Sequence, residues 1–200
     1  MTDLQTKNIF HEIKNQISVC ELYTEVIKRT LEKEGIENTT LTRAIKNIKN
    51  SLELITQSAT SLRETKLDNY NLYEITENVF EICRTYNNIN LKNKITPEQN
   101  ILADKNKLTS ALVNIVKNAI EANATEVKIS YKNDTIIIEN NGDSIPAELQ
   151  EKIFTDGFTT KETGSGLGLI LTKSMLQEQG LKLCLTQSTQ ETTTFIISKI

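Results

Sequence analysis

The first 62 residues carry an apolar spacing that few folds can accept. Apolar side chains fall at Phe10, Ile13, Ile17, Cys20, Ile27 and Leu31, with Thr24 as a soft position, an alternation of threes and fours held through three heptads. The alternation returns at Leu41, Ile45, Ile48, Leu52, Ile55, Ala59 and Leu62, after a break that contains Gly35 and the helix-start candidates Asn38 and Thr39. Two matched helices joined by so short a turn form an antiparallel hairpin. At ~1.5 Å per residue each seam is about 30 Å long, and a lone hairpin leaves much of its stripe in water. Two hairpins pairing into a four-helix bundle would cover it, so the sequence predicts a homodimer.

From Tyr70 the pattern changes to alternating helix and strand signals. Helices are expected over Leu72 to Tyr86, Lys105 to Ala122 and Leu167 to Gln179, and short strands over Asn88 to Ile95 and Asn100 to Ala103. Val127 to Tyr131 and Thr135 to Glu139 alternate in period two around Lys132, Asn133 and Asp134, a hairpin signal. A loop with Gly142 and Pro146, a short helix to Ile153 and a last strand pair, Leu181 to Leu185 with Thr193 to Ile197, complete the reading. These elements suit an α/β sandwich, one mixed sheet under a layer of helices. The expected division is 1–68 for the hairpin and 69–200 for the sandwich, with the boundary between Lys66 and Asn71.

Charge and cysteines narrow the setting. With 23 basic and 26 acidic residues the net charge is only -3, so no whole-chain field points to nucleic acid or an anionic membrane. Cys20, Cys83 and Cys184 lie far apart in apolar patterns without CxxC spacing, as reduced core thiols do. No apolar run approaches the roughly 20 residues of a membrane span, and the polar start MTDLQTKN is unlike a secretion signal. A cytoplasmic location is expected.

Two clusters in the second half carry chemistry. Asn114 and Asn118 stand four apart in ALVNIVKNAIEA, so both amides project from one helix face. Amide oxygens on a rigid helix suit a hard cation shared with phosphates, and equally a solvent-facing surface. In TGSGLGL, Thr163 to Leu169, glycines stand where the chain enters a helix. There backbone N–H groups can approach phosphate oxygens, although glycines also mark ordinary turns and no Walker lysine-serine pair follows.

Taken in order, NIVKNAIEA, IENNGDSIP, IFTDGFTTK and GSGLGL resemble the four boxes of the GHKL ATP-binding fold, and FHEIKNQ at Phe10 to Gln16 resembles the phosphoacceptor box of two-component histidine kinases. The resemblance covers nearly the whole chain. It implies a dimerisation and phosphoacceptor hairpin followed by a catalytic ATP-binding domain. It also implies that Asn118, with Asn114 beside it, contacts Mg2+ and the triphosphate of ATP, and that Gly164, Gly166, Leu167 and Gly168 form the phosphate cradle. Phe154 and Phe158 would anchor a short lid, or simply pack in the core, and Lys161 would face the phosphates. Asn140, Asn141 and Gly142 occupy the family's DxG triplet, and Ser144 replaces a common second glycine. Asn140 can accept from adenine without charge assistance, which implies weaker binding.

His11 is the single histidine of the chain and falls inside the matching box. It follows seam residue Phe10 and so projects from the flank of the bundle. The resemblance implies that His11 takes a phosphoryl group from ATP with Glu12 holding one ring N–H. A response-regulator receiver aspartate would then take the group over. Asn15 shares the face of His11 and is a candidate for regulator dephosphorylation. The alternative is a histidine phosphotransferase that has weakened or lost its use of ATP. Only ten residues precede His11, too few for a sensory domain, so the signal is expected from a separate input protein or from a further segment of the same protein.

Overall fold

The structure is a computed structural model that describes residues 3–84, 89–155, 157–159 and 166–200, with side chains described at Ile13 and from Asn15 onward. Among the described residues the chain divides into two compact units at Leu62–Arg63, ahead of the Lys66 to Asn71 stretch expected from sequence.

The first unit contains α1 (Asp3–Lys33) and α2 (Thr39–Ser61). Gly35 closes α1 at φ +62, a left-handed conformation that suits glycine, and the Ile36 N–H returns to the Leu31 carbonyl at 2.9 Å. Asn38 caps α2, its Oδ1 accepting the Leu41 N–H at 3.0 Å. Between the helices Ile17, Ile45 and Leu52 are buried together with Thr24, the soft seam position. Lys49 also donates to Glu25 across the pair at 2.9 Å. Other apolar seam members, Ile27, Leu41, Ile48 and Ile55, stay exposed. Among the described residues no helix is long and apolar enough to cross a membrane.

The second unit is an α/β sandwich. Its sheet has the order β2 (Asn90–Asn93), β4 (Glu126–Lys132), β5 (Thr135–Asn140), β7 (Thr193–Lys199) and β6 (Leu181–Ser188). Only β2 and β4 run parallel, since α4 (Lys105–Glu121) supplies the crossover between them that parallel strands need. Val127, Ile129, Ile136, Ile138, Phe195 and Ile197 alternate along their strands onto one face. There they form a continuous core with Leu72, Ile75, Val79 and Phe80 of α3 (Leu72–Arg84) and with Leu108, Ala111, Leu112 and Ile115 of α4. A third helix, α5 (Gly168–Gln177), adds Leu176.

The differences from the sequence reading are local. The strand expected from Asn88 is Asn90–Asn93, and the helix expected to Tyr86 is described to Arg84, residues 85–88 lying outside the described set. The short helix before Ile153 is two 3-10 turns, Ala147–Leu149 and Lys152–Phe154. A strand absent from the sequence reading, β1 (Asp68–Asn71), pairs antiparallel with β3 (Asn100–Ala103).

Candidate nucleotide site

Three segments of the second unit carry the candidate site: the α4 face bearing Asn114, the start of α5 packed on it, and the turn after β5 packed on the C-terminal end of α4. Asp104 starts α4, its Oδ1 accepting from Asn106 and Lys107 N–H. The apolar stripe Leu108, Ala111, Leu112, Ile115 and Ala119 then fixes the rotation of the helix on the sheet. That rotation buries Asn114 and leaves Asn118 half-buried.

The Asn114 amide donates to Thr172 Oγ1 at 2.8 Å, and that hydroxyl donates to the Gly168 carbonyl at 2.9 Å. A Cβ on Gly168 would lie 2.9 Å from Asn114 Oδ1, so any side chain at the first residue of α5 would have to displace the Asn114 amide. Asn114 therefore ties α4 to α5 and sets where the α5 N-terminus points. Leu167 at its N-cap has no capping side-chain oxygen, and the first N–H groups of a helix have no partner within the helix, which makes this N-terminus suited to anionic oxygens. At Gly166 (φ +69) a Cβ would stand 2.4 Å from the Gly157 carbonyl carbon and 2.6 Å from Phe158 N. The glycine turn thus closes onto the Gly157–Phe158 backbone. Leu167 occupies the N-cap position of α5, and Gly164 and Lys161 lie outside the described residues.

The turn after β5 is built with similar closeness. Gly142 is buried, and a Cβ there would meet the Ala122 carbonyl at 2.6 Å. Asn141 accepts from both Thr125 and Glu126 N–H at 2.9 Å and locks the turn to the start of β4. Asn140, opposite Thr193 in the β5–β7 register, is 7% exposed. Its Oδ1 accepts the Gly142 N–H at 3.0 Å and its Nδ2 donates to the Thr193 carbonyl at 3.3 Å. A backbone N–H can only donate and a carbonyl can only accept, so these partners fix which way the amide faces. One lone pair of Oδ1 and one proton of Nδ2 are left over. Thr193 Oγ1 pairs with Ser188 Oγ at 2.8 Å, and Ser188 takes the Ile145 N–H at 2.8 Å.

The rings of Phe154 and Phe195 pack near-perpendicular with centroids 6.5 Å apart, and Lys173 Nζ lies over the Phe154 ring at 5.7 Å from its centroid. Phe154 is half-buried and packed against the core, and Phe158 is likewise half-buried. Beside the turn, the Lys92 ammonium holds the Glu126 carboxyl below the usual carboxylate range. Asn141, Thr172, Ser188 and Thr193 were missed by sequence reasoning. The NN doublet and the TTT run were visible, but their partners are set by strand register.

A triphosphate suits this arrangement, because the N-terminus of α5 turns backbone N–H groups toward anionic oxygens. A divalent cation fits only in company. Among the described residues no group of three or more His, Cys, Asp or Glu could hold a metal, so an amide oxygen such as that of Asn118 would share the ion with phosphate oxygens.

Comparison with known proteins decides the family. A profile described as "Histidine kinase-, DNA gyrase B-, and HSP90-like ATPase" matches residues 103–200. The solved catalytic domain of histidine kinase ThkA is 30% identical with a TM-score of 0.56, the likeness covering 66% of this chain and 93% of that one. The chain belongs to the histidine kinases. Its second unit is their GHKL-type ATP-binding domain. As a histidine kinase core it is 28% identical over 184 residues to signal transduction histidine-protein kinase AtoS of Escherichia coli K12, covering 84% of this chain and 30% of AtoS. It is 28% identical over 183 residues to sensor histidine kinase CssS of Bacillus subtilis 168, covering 85% of this chain and 40% of CssS. The chain thus spans well under half the length of these relatives. Full-length ShkA, solved with AMPPNP, matches 98% of this chain and 45% of its own at a TM-score of 0.63 and 16% identity, a likeness of fold.

Proposed function

We propose that the chain is the ATP-dependent kinase core of a two-component system, in which His11 accepts a phosphoryl group and passes it to an aspartate of a response-regulator receiver domain. The observation that carries this reading is the join of Asn114, Thr172 and Gly168, which fixes where the N-terminus of α5 points as the chain leaves the glycine turn. Family membership makes ATP the substrate that such a site receives.

In the proposed reaction ATP lies with its phosphates on the Gly166, Leu167 and Gly168 amides and its base toward Asn140. Mg2+, held by Asn118 and phosphate oxygens, would neutralise charge developing on the transferred group. The lone pair of one His11 ring nitrogen attacks the γ-phosphorus. The bond from that phosphorus to the bridging oxygen breaks, and ADP leaves with the electron pair. Glu12 takes the proton from the other ring nitrogen, so that a neutral phosphohistidine results. The receiver aspartate then attacks the same phosphorus and releases the imidazole. Asn15, exposed and one turn along α1 from His11, suits positioning of a water for regulator dephosphorylation. Dimerisation through the exposed seam of α1 and α2 completes the proposal.

A second reading, a histidine phosphotransferase that does not use ATP, is favoured by Asn140. An aspartate there would offer a charge-assisted hydrogen bond, roughly twice the strength of the neutral one. Incubation with γ-labelled MgATP tests both readings. Acid-labile label is expected on the native chain and none on His11→Gln; label persisting in the variant excludes His11 as the acceptor. Absence of label on a native chain that also fails to bind ATP by calorimetry would select the phosphotransferase. Asn140→Asp is expected to tighten ATP binding about tenfold, equivalent to ~1.4 kcal/mol.

A further inference from the structure

Lys107 is a charged group that the nucleotide site does not use. It sits in the first turn of α4 and is 1% exposed, a position from which an unpaired ammonium would be excluded. Its Nζ donates to the Glu178 carboxylate just past α5 and to Thr65 Oγ1 at 2.9 Å. Thr65 donates in turn to the same carboxylate at 3.2 Å. The residues after Thr65 and Glu178 repeat the join at Asp104, the N-cap of α4. Gln179 accepts the Asp104 N–H through Oε1 at 2.7 Å, and Asp104 accepts the Lys66 N–H through Oδ2 at 2.9 Å.

Two consecutive residues after α2 are therefore fastened to the second unit, Thr65 by its side chain and Lys66 by its backbone. On the other side Leu62 is fastened to α2, its N–H returning to the Ser58 carbonyl at 3.1 Å. Between them, Arg63 and Glu64 are exposed and have no hydrogen bond or ion pair among the described residues.

We propose that Arg63 and Glu64 are the whole pivot between the two units, and that Lys107 is the positioning residue that confines it to them. The same polar join holds the start of α4 and the end of α5, the two helices that carry Asn114 and Gly168. A two-residue tether reaches about 7 Å, whereas releasing Thr65 and Lys66 would free the chain up to Asp68 and extend the reach to about 17 Å. Under the kinase reading above, the short tether limits how far the nucleotide-bearing unit travels from the helix that carries His11.

Hydrogen exchange on the full chain, resolved to single amides, tests this without nucleotide, so an inactive kinase would leave the result intact. In the native chain the Lys66 amide should exchange at least about a hundredfold more slowly than that of Glu64, and trypsin should cut after Arg63 while sparing Lys66. Thr65→Val and Glu178→Gln should each speed Lys66 exchange about tenfold or more and expose its tryptic bond, with the Val79 amide unchanged. Equal exchange at Glu64 and Lys66 in the native chain would overturn the proposal, as would variants that leave Lys66 unaltered. Loss of protection at Val79 marks a variant that has unfolded, and the native contrast between Glu64 and Lys66 then decides alone.

Discussion

The two units solve the problem of burying apolar surface in opposite ways. The α/β unit closes its core on itself: Leu72, Val79, Phe80, Leu108, Leu112 and Ile138 are all fully buried, and the sheet alternates cleanly beneath them. In the helical unit Ile17, Ile45 and Leu52 are buried, but Leu22, Tyr23, Val26, Ile27, Ile48 and Ile55 remain open to water. One unit has a core, and the other has half of one. A domain that holds a nucleotide at fixed geometry gains from internal closure, whereas a helix pair open along one side leaves apolar surface that, under the proposed dimerisation, a second copy would cover.

This contrast can be broken first from the closed side. Phe80→Ala empties a sealed site and should cost the α/β unit about 3–5 kcal/mol, read as an early calorimetric transition with loss of ATP binding while the far-ultraviolet signal of the helical unit persists. A single global transition would mean that the units share stability. From the open side, Ile27→Glu with Ile48→Glu replaces side chains that are 47% and 46% exposed in the single chain. If those positions meet a partner copy, sedimentation should give dimer dissociation weakened about a hundredfold, ~2.7 kcal/mol; an unchanged dimer would refute the seam as its interface. The smallest effect is electrostatic. Lys49 and Arg29 hold the Glu25 carboxyl below its ordinary value of 4.5, so its contribution is present above that value and is lost as pH falls through the depressed one. Melting of the helical unit should be flat above pH 4.5 in this respect and decline below it, and Glu25→Gln should flatten that part of the slope.

Legibility in the sequence followed the range of the interaction. The hairpin was readable because seam spacing, Gly35 and the Asn38 cap are all local, and even the burial of Thr24 follows from its place in the alternation. Strand β1 was not, since Asp68, Asn69, Tyr70 and Asn71 offer no apolar alternation and owe their conformation to pairing with β3 some thirty residues on. At the site, the spacing of Asn114 and Asn118 was plain, but not that Thr172 and Gly168 would meet Asn114 from another helix. The role of Asn140 was likewise half visible: its departure from the family triplet could be read, whereas its bond to Thr193 depends on the β5–β7 register. Lys107 gave no signal at all. A lysine in an amphipathic helix reads as a solvated side chain until the carboxylate 71 positions later is seen to reach it.

The fit of Gly168 against Asn114 has a consequence for anyone recombining such domains. An α5 transplanted from a relative brings its own first residue into a space measured by the amide on α4, and an α4 transplanted alone brings its own side chain to a glycine that cannot yield. The two helices are in effect one heritable part. Chimeras that cut between them should fail more often than chimeras that move them together, even where every junction falls in a surface loop.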